Sequence, residues 1–193
     1  MKWDESKHPR DKDGKFTDGT SKTSETNVSP VAVEEPKLEP VSVDKFIDNL
    51  KAAKTTYPIY ERWRVDLHSK EEYLNDKLFC SPKGSCVAIE PSGNIISVCK
   101  IDGDTVKGHQ LLAKAISEGG DRLDAFGKKL YVTYTRNGFE PVSWTRFNEE
   151  YAPEEWKQAK SEGYDVQKEP VIFYKFTGKK TNLTYEQFLN QAP

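Results

Sequence analysis

At 193 residues, with 35% hydrophobic and 31% charged positions, the chain is poorer in apolar residues than an ordinary globular domain of roughly 45–50%, so part of it builds no core. Its 29 basic and 31 acidic residues leave a net charge of -2, which argues against a general polyanion binder, nucleic acid included. No apolar run reaches the roughly 18–20 residues that span a bilayer. The charged opening MKWDESKHPRDKDGKF also lacks the apolar stretch of a secretory leader, so the expected setting is cytoplasmic, away from membranes.

The apolar deficit sits at the front. Residues 1–43 run from the charged opening through a Ser/Thr/Asn-rich stretch to VSPVAVEEPKLEPVSV, punctuated by Pro30, Pro36 and Pro40. Neither helical nor strand periodicity survives there, and the composition predicts a disordered, partly polyproline-like tail. Asp11-Lys12-Asp13-Gly14 has the look of a calcium loop, but aligning Gly14 with the loop glycine puts Pro9 and Thr20 where carboxylates are needed. A solvated Asp-Gly turn is the better reading. The string from His8 to Thr17 resembles a short segment found in phage head-morphogenesis and mobile-element proteins, which implies a phage or prophage source.

A single folded domain is expected over residues 44–193. Asp44 is placed to cap a helix carrying Phe46, Ile47, Leu50 and Ala53, ended by Pro58. Ile59 to Leu67 (IYERWRVDL) alternates apolar and charged residues and predicts a half-buried strand. Ser69 with Glu72 forms a capping-box signature. Gly84–Ile89 and Ile95–Ile101 are apolar runs joined by Glu90-Pro-Ser-Gly-Asn94, a hairpin. Val106 to Ser117 carries Leu111, Leu112, Ala115 and Ile116 on one helical face, stopped by Gly119-Gly120. Arg122–Phe126 reads as a short strand, Lys129–Arg136 as ambiguous between helix and strand, and Phe139–Phe147 as a strand whose Pro141 suggests an edge or bulge. Pro153 opens a helix, Val171–Phe176 is an apolar strand, and Thr184 caps a last helix. The class is mixed α/β (α+β) with a mainly antiparallel central sheet flanked by helices.

Cys80, Cys86 and Cys99 are odd in number and lack zinc spacing, so reduced, partly buried thiols and no metal are expected. Trp63, Trp144, Phe147, Tyr151 and Trp156 either wall a groove or belong to the core, and the core is the simpler reading. Asn182-Leu-Thr184 matches a glycosylation sequon, without consequence in a cytoplasmic setting.

The order hairpin, helix, strand, helix, strand from Ser97 to Phe147 resembles the core of the GNAT superfamily of N-acetyltransferases. Tyr134, three residues, Gly138-Phe139, two residues and then Val142 look like that family's signature. The resemblance implies that Lys129–Arg136 is helical and that acetyl-CoA donates an acyl group to an amine. It implies that Tyr134 protonates the departing thiolate and that Cys99, Ile101, Val106, Lys107, Gly108 and His109 contact the cofactor. A strand amide within Ser97–Cys99 would meet the oxyanion. Glu90, Asp66 and Asp124 are the candidate bases, among which the sequence does not choose. The loop Asp102–Gln110 keeps Gly103 and Gly108 but departs from the family's Gln/Arg-x-x-Gly-x-Gly/Ala pattern, and Asp102 and Asp104 would oppose an anion. A Cys99/His109 nucleophilic pair is a further arrangement, without an evident orienting group. The alternative function is an inactive domain of this fold that binds a host or virion protein.

Overall fold

The computed structural model describes residues 37–191. The expected tail, its Asp-Gly turn and the phage-like segment fall almost wholly outside that range.

The described chain is a mixed α/β domain with antiparallel sheets flanked by helices. It starts earlier than expected: β1, Glu39–Pro40, joins the edge of a sheet, where a proline's missing N–H does no harm. Helix α1, Val43–Thr55, is capped by the Ser42 hydroxyl accepting from the Lys45 amide, not by Asp44. Asp44 lies in the first turn, where a negative charge favours the helix dipole.

The expected strand at Ile59–Leu67 is instead a four-residue helix, α2, Ile59–Arg62, followed by turns. Pro58 stands at its N-cap and so opens a helix as well as closing one. Trp63, directly after, is fully buried and donates its indole N–H to the Tyr60 carbonyl at 2.8 Å. Alternation in IYERWRVDL reflects a helical turn with one deep anchor, not a pleat. Ser69 and Glu72 do bond to each other and start a 3-10 turn, Glu72–Asn75.

One four-stranded sheet runs β1-β2-β3-β4, with β2 Lys77–Cys80, β3 Cys86–Ile89 and β4 Ile95–Cys99, all antiparallel. β2 was not anticipated, because three of its four residues are buried and show no alternation. One face of this sheet packs Leu78, Cys80, Cys86, Ala88 and Cys99 on Phe46 and Leu50 of α1. The other face packs Phe79, Val87, Ile89 and Ile95 on helix α3, Gly108–Ser117, through Leu111, Leu112 and Ala115.

A second, three-stranded sheet has the order β5-β7-β6: Arg122–Phe126, Val171–Phe176 and Phe139–Thr145. Helix α4, Gly127–Arg136, follows β5 directly and buries Tyr131 and Tyr134 against it, settling the ambiguous segment as a helix. Helix α5, Glu154–Ser161, carries the buried Trp156 into a small cluster with Trp63, Phe126 and Phe147. Helix α6, Tyr185–Leu189, is capped by Thr184 as expected. Core residues of both sheets, α3, α4 and α6 form one continuous cluster.

Between the sheets, β4 and β5 meet through a single parallel bridge, Asn94 to Arg122, reinforced by the Gly93 carbonyl accepting from the Asp121 amide at 2.9 Å. Pairing stops there, and a cleft opens between the two strands.

Candidate functional site

The cleft has a volume of about 470 Å³ and is lined by Asn94 and β4 from Ile95 to Val98, β5 from Leu123 to Phe126, and Lys129, Leu130 and Tyr134 of α4. Its remaining wall comes from the end of α1, α2 and the turns through His68.

A break in β4 shapes this site. Pairing with β3 jumps from Ala88–Ile96 to Cys86–Cys99, so Val87 faces two residues, Ser97 and Val98. Ser97 has φ of 54°, the one non-glycine residue with positive φ among those described. A bulge of this kind bends its strand and leaves one residue unpaired, and a strained serine marks a place the surroundings over-determine. The extra residue also reverses the alternation. Ile95 and Val98 both pack toward α3, while Ile96 and Cys99 pack toward α1.

The turns below lock the bulge in place. Tyr73 and Ser97 share a hydroxyl–hydroxyl hydrogen bond of 2.7 Å, Ser97 donates to the Asp66 carbonyl at 3.2 Å, and the His68 amide donates to the Tyr73 hydroxyl at 3.2 Å. Asp66 and His68 are thereby held against the cleft. Sequence reasoning missed Tyr73, His68 and the role of Ser97; the one available signal was a serine inside the apolar run Ile95–Cys99.

Glu90, Asp66 and Asp124, the three candidate bases, all line this one cleft. Partial desolvation by the cleft walls raises the Asp66 carboxyl from its ordinary range, although the residue as a whole is exposed. Asp124, exposed on β5, is raised too, by partial desolvation against the cleft walls and then by repulsion from Asp66, with Glu90 adding to it. Among the described residues no lysine or arginine pairs with any of the three. Nor do any three His, Cys, Asp or Glu side chains there converge to hold a metal ion.

Tyr134 enters from α4, its ring packed on Tyr174 and Phe139 at centroid distances of 5.4 and 6.0 Å. Only 7% of the residue is exposed, yet it lines the cleft, and no group among the described residues bonds its hydroxyl. Burial, then the charge of Asp124, pushes the phenol well above its ordinary value.

The cleft also carries five basic side chains, Lys54, Arg62, Arg64, Lys100 and Lys129, some of them paired. Lys54, almost fully buried, pairs with Glu155 at 2.7 Å, and Arg64 pairs with Glu169 at 2.6 Å. The Arg62 guanidinium donates to the Tyr57 and Thr55 carbonyls. The Glu169 carboxylate sits over Gly127, where any Cβ would collide with it, and Gly127 has a φ of 78°.

At the start of α3 the arrangement is mixed. Asp104 turns inward, accepting from the Ser81 and Ser85 hydroxyls at 2.5 Å each and from the Val106 amide at 3.1 Å. Its carboxylate therefore does not face outward, contrary to expectation, whereas Asp102 is exposed. The Lys107 amide donates to the Gln110 side chain at 2.7 Å. The Gly108 and His109 amides have no protein acceptor among the described residues, as first-turn amides of a helix often do.

The other assigned cofactor contacts separate. Val106 is fully buried in the core, Ile101 is half-buried beside α1, and Lys107 and His109 are exposed. Cys99 lies beneath α1, its thiol pushed up to about 12 by burial, and it makes no bond to His109, so the Cys99/His109 pair does not form. Cys80 and Cys86 oppose each other across β2 and β3 with sulfurs 2.7 Å apart, and all three thiols are free and buried. Trp63 and Trp156 belong to the core, while Tyr151 is 80% exposed away from it.

Comparison with protein-family models, with curated proteins and with solved structures finds no match to this chain. No helix among the described residues is long and apolar enough to cross a membrane.

Proposed function

We propose that this chain is an acyltransferase of the GNAT kind, moving an acyl group from coenzyme A to an amine in the cleft between β4 and β5. The observation that carries this reading is that the largely buried Tyr134 phenol, without a hydrogen-bond partner among the described residues, lines the same cleft as Asp66, Glu90 and Asp124 and the bulge of β4. The bound thioester supplies the acyl group; the protein supplies proton traffic and charge stabilisation. A carboxylate with a raised affinity for protons, Asp124 or Asp66, takes a proton from an incoming ammonium, directly or through water. A β4 amide at the bulge donates to the oxygen that gains charge as the amine attacks. Tyr134 then gives its proton to the departing thiolate. The free Gly108 and His109 amides, with Lys107 beside them, fit the coenzyme diphosphate in part.

One observation favours a second reading, a binding module of this fold without transfer activity: the Asp104 carboxylate and the Gln110 side chain already occupy the Val106 and Lys107 amides. Calorimetry with acetyl-CoA separates the two. Binding accompanied by release of free thiol in the presence of amines supports transfer. Absence of binding at millimolar concentration removes it and leaves the module.

A further inference from the structure

Three thiols stand in a row across one face of the first sheet. Register places Cys80 on β2 opposite Cys86 on β3, and Cys86 opposite Cys99 on β4, all packed beneath α1. The Ser81 amide donates to the Ser85 carbonyl at 2.8 Å, which makes the next rung, Cys80 with Cys86, a non-hydrogen-bonded pair. Facing Cα atoms in such a pair are about 4.5 Å apart, inside the roughly 4.4–6.8 Å that a disulfide bridges. Both thiols are free, yet their sulfurs lie 2.7 Å apart, so side-chain rotation suffices to join them. The two are chemically unequal. A hydrogen bond with Cys86, helped by Asn49 and Lys45 of α1, holds the Cys80 thiol below its ordinary value against the opposing effect of burial. Cys86 is pushed far up by its bond to Cys80 and by burial. Cys99, raised to about 12 by burial, has no such sulfur contact among the described residues.

We propose that Cys80 and Cys86 are a reversible redox pair, closed to a disulfide by a small peroxide and reopened by a thiol reductant. The Cys80 thiolate attacks one oxygen of hydrogen peroxide, breaking the O–O bond and becoming a sulfenic acid, while the other oxygen leaves as water after protonation. The Cys86 sulfur then displaces the sulfenic hydroxyl, which departs as a second water as the S–S bond forms. Two thiols thus give up two electrons and two protons, and one peroxide becomes two waters. Two molecules of reductant thiol reverse the step by exchange and leave as their own disulfide. The pair brackets the turn at residues 81–85, where Pro82 and Lys83 are exposed, and local opening of that turn admits the oxidant. The same turn supplies Ser81 and Ser85 to the Asp104 carboxylate, so the closed bridge tightens the anchor of α3. None of the three cysteines lines the cleft between β4 and β5, and the proposal does not depend on the acyltransferase reading.

The test exposes the reduced full chain to low-millimolar hydrogen peroxide at neutral pH, alkylates the remaining thiols in denaturant and maps the products by mass spectrometry. Trypsin cleaves after Lys83 and so separates Cys80 from Cys86, and fragmentation of the peptide at residues 84–100 separates Cys86 from Cys99. The reduced chain is expected to take an alkyl group at all three cysteines. The oxidised chain should take one, at Cys99, with the Cys80 and Cys86 peptides linked and about 2 Da lighter together. Dithiothreitol should restore all three sites, and the urea midpoint should be higher for the oxidised chain than for the reduced one. Cys86→Ser should stop Cys80 at the sulfenic acid, trapped by dimedone, whereas Cys99→Ser should close as the parent does. Three alkylatable thiols after peroxide overturn the proposal, as does a link through Cys99, a link between chains, or irreversible oxidation of Cys80. An oxidised midpoint no higher than the reduced one also overturns it. The parent chain's own map decides the pairing whatever the stability of the variants.

Discussion

Tyr134 and Gly120 show how differently single residues are constrained in this molecule. The Tyr134 ring is part of the core, but its hydroxyl has no hydrogen-bond partner among the described residues. Removing that oxygen therefore deprives the fold of no hydrogen bond while removing the proposed acid. Tyr134→Phe is expected to keep the denaturation midpoint within about 0.5 kcal/mol of the parent and to lower kcat about 100-fold, with acetyl-CoA binding retained. Gly120 is the opposite case. A Cβ there would lie 2.5 Å from Ile95 Cγ1 and 3.0 Å from the Ala115 carbonyl, so α3 and β4 approach as closely as they do because the residue has no side chain. Gly120→Ala should destabilise by about 1–3 kcal/mol in urea unfolding. Nothing local in the sequence distinguishes these roles: Gly119-Gly120 reads as a helix stop, and only packing reveals which glycine admits a neighbour.

At the scale of elements, the turn between β2 and β3 and the start of α3 are a single polar unit joined through Asp104. Ser81 and Ser85 donate to its carboxylate from one side and the Val106 amide from the other, while Ser85 also receives the Ile101 amide at 3.0 Å. Burial works to raise the Asp104 proton affinity, but these hydrogen bonds together outweigh it and hold the carboxyl below its ordinary value. A carboxylate depressed in the folded state adds stability above its unfolded value of about 3.9, and that stability is lost as pH falls through the lower folded value. Asp104→Asn should cost about 1.5–3 kcal/mol at neutral pH and flatten the acid limb of the stability profile below about pH 4, measured by urea midpoints against pH. Elements with their own signals were legible: the hairpin, α3, β5, β7 and the Thr184 cap. The failures have physical causes. Ile59–Leu67 alternates because Trp63 anchors a turn; β2 is buried on both faces and so has no period. Lys129–Arg136 was ambiguous because its Val132 and β-branched threonines favour a strand, while Tyr131, Tyr134 and Thr135 bury one helical face against β5 and β7.

Over the whole molecule, the same acids that equip the cleft oppose the fold around it. Asp124 binds protons more tightly in the folded state than a free aspartate does, because of partial desolvation and its acidic neighbours. Folding is therefore most favoured by this residue below its unfolded value, and that contribution fades as pH rises through the raised folded value. Asp124→Asn is expected to raise the thermal midpoint at neutral pH, by a few tenths of a kcal/mol to about 1 kcal/mol of stability. The same change should weaken amine binding and transfer. Differential scanning fluorimetry at pH 4 and pH 7.5 checks this, with the stabilisation largest at the higher pH.

By itself the sequence determined the class of the domain and the positions of most of its helices and strands, since each follows from local periodicity or capping, and it offered Asp66, Glu90, Asp124 and Tyr134 as candidates. Tertiary structure alone decided that these residues share a cleft. Glu90 closes a hairpin, Asp124 lies on a strand of another sheet, Asp66 hangs in a turn held by Tyr73, and Tyr134 projects from a helix. Their meeting depends on β4 and β5 pairing at one end and then parting, and on a bulge that redirects β4. Register, splay and bulge arise from contacts between residues far apart in the chain, for which no neighbouring residue carries a sign.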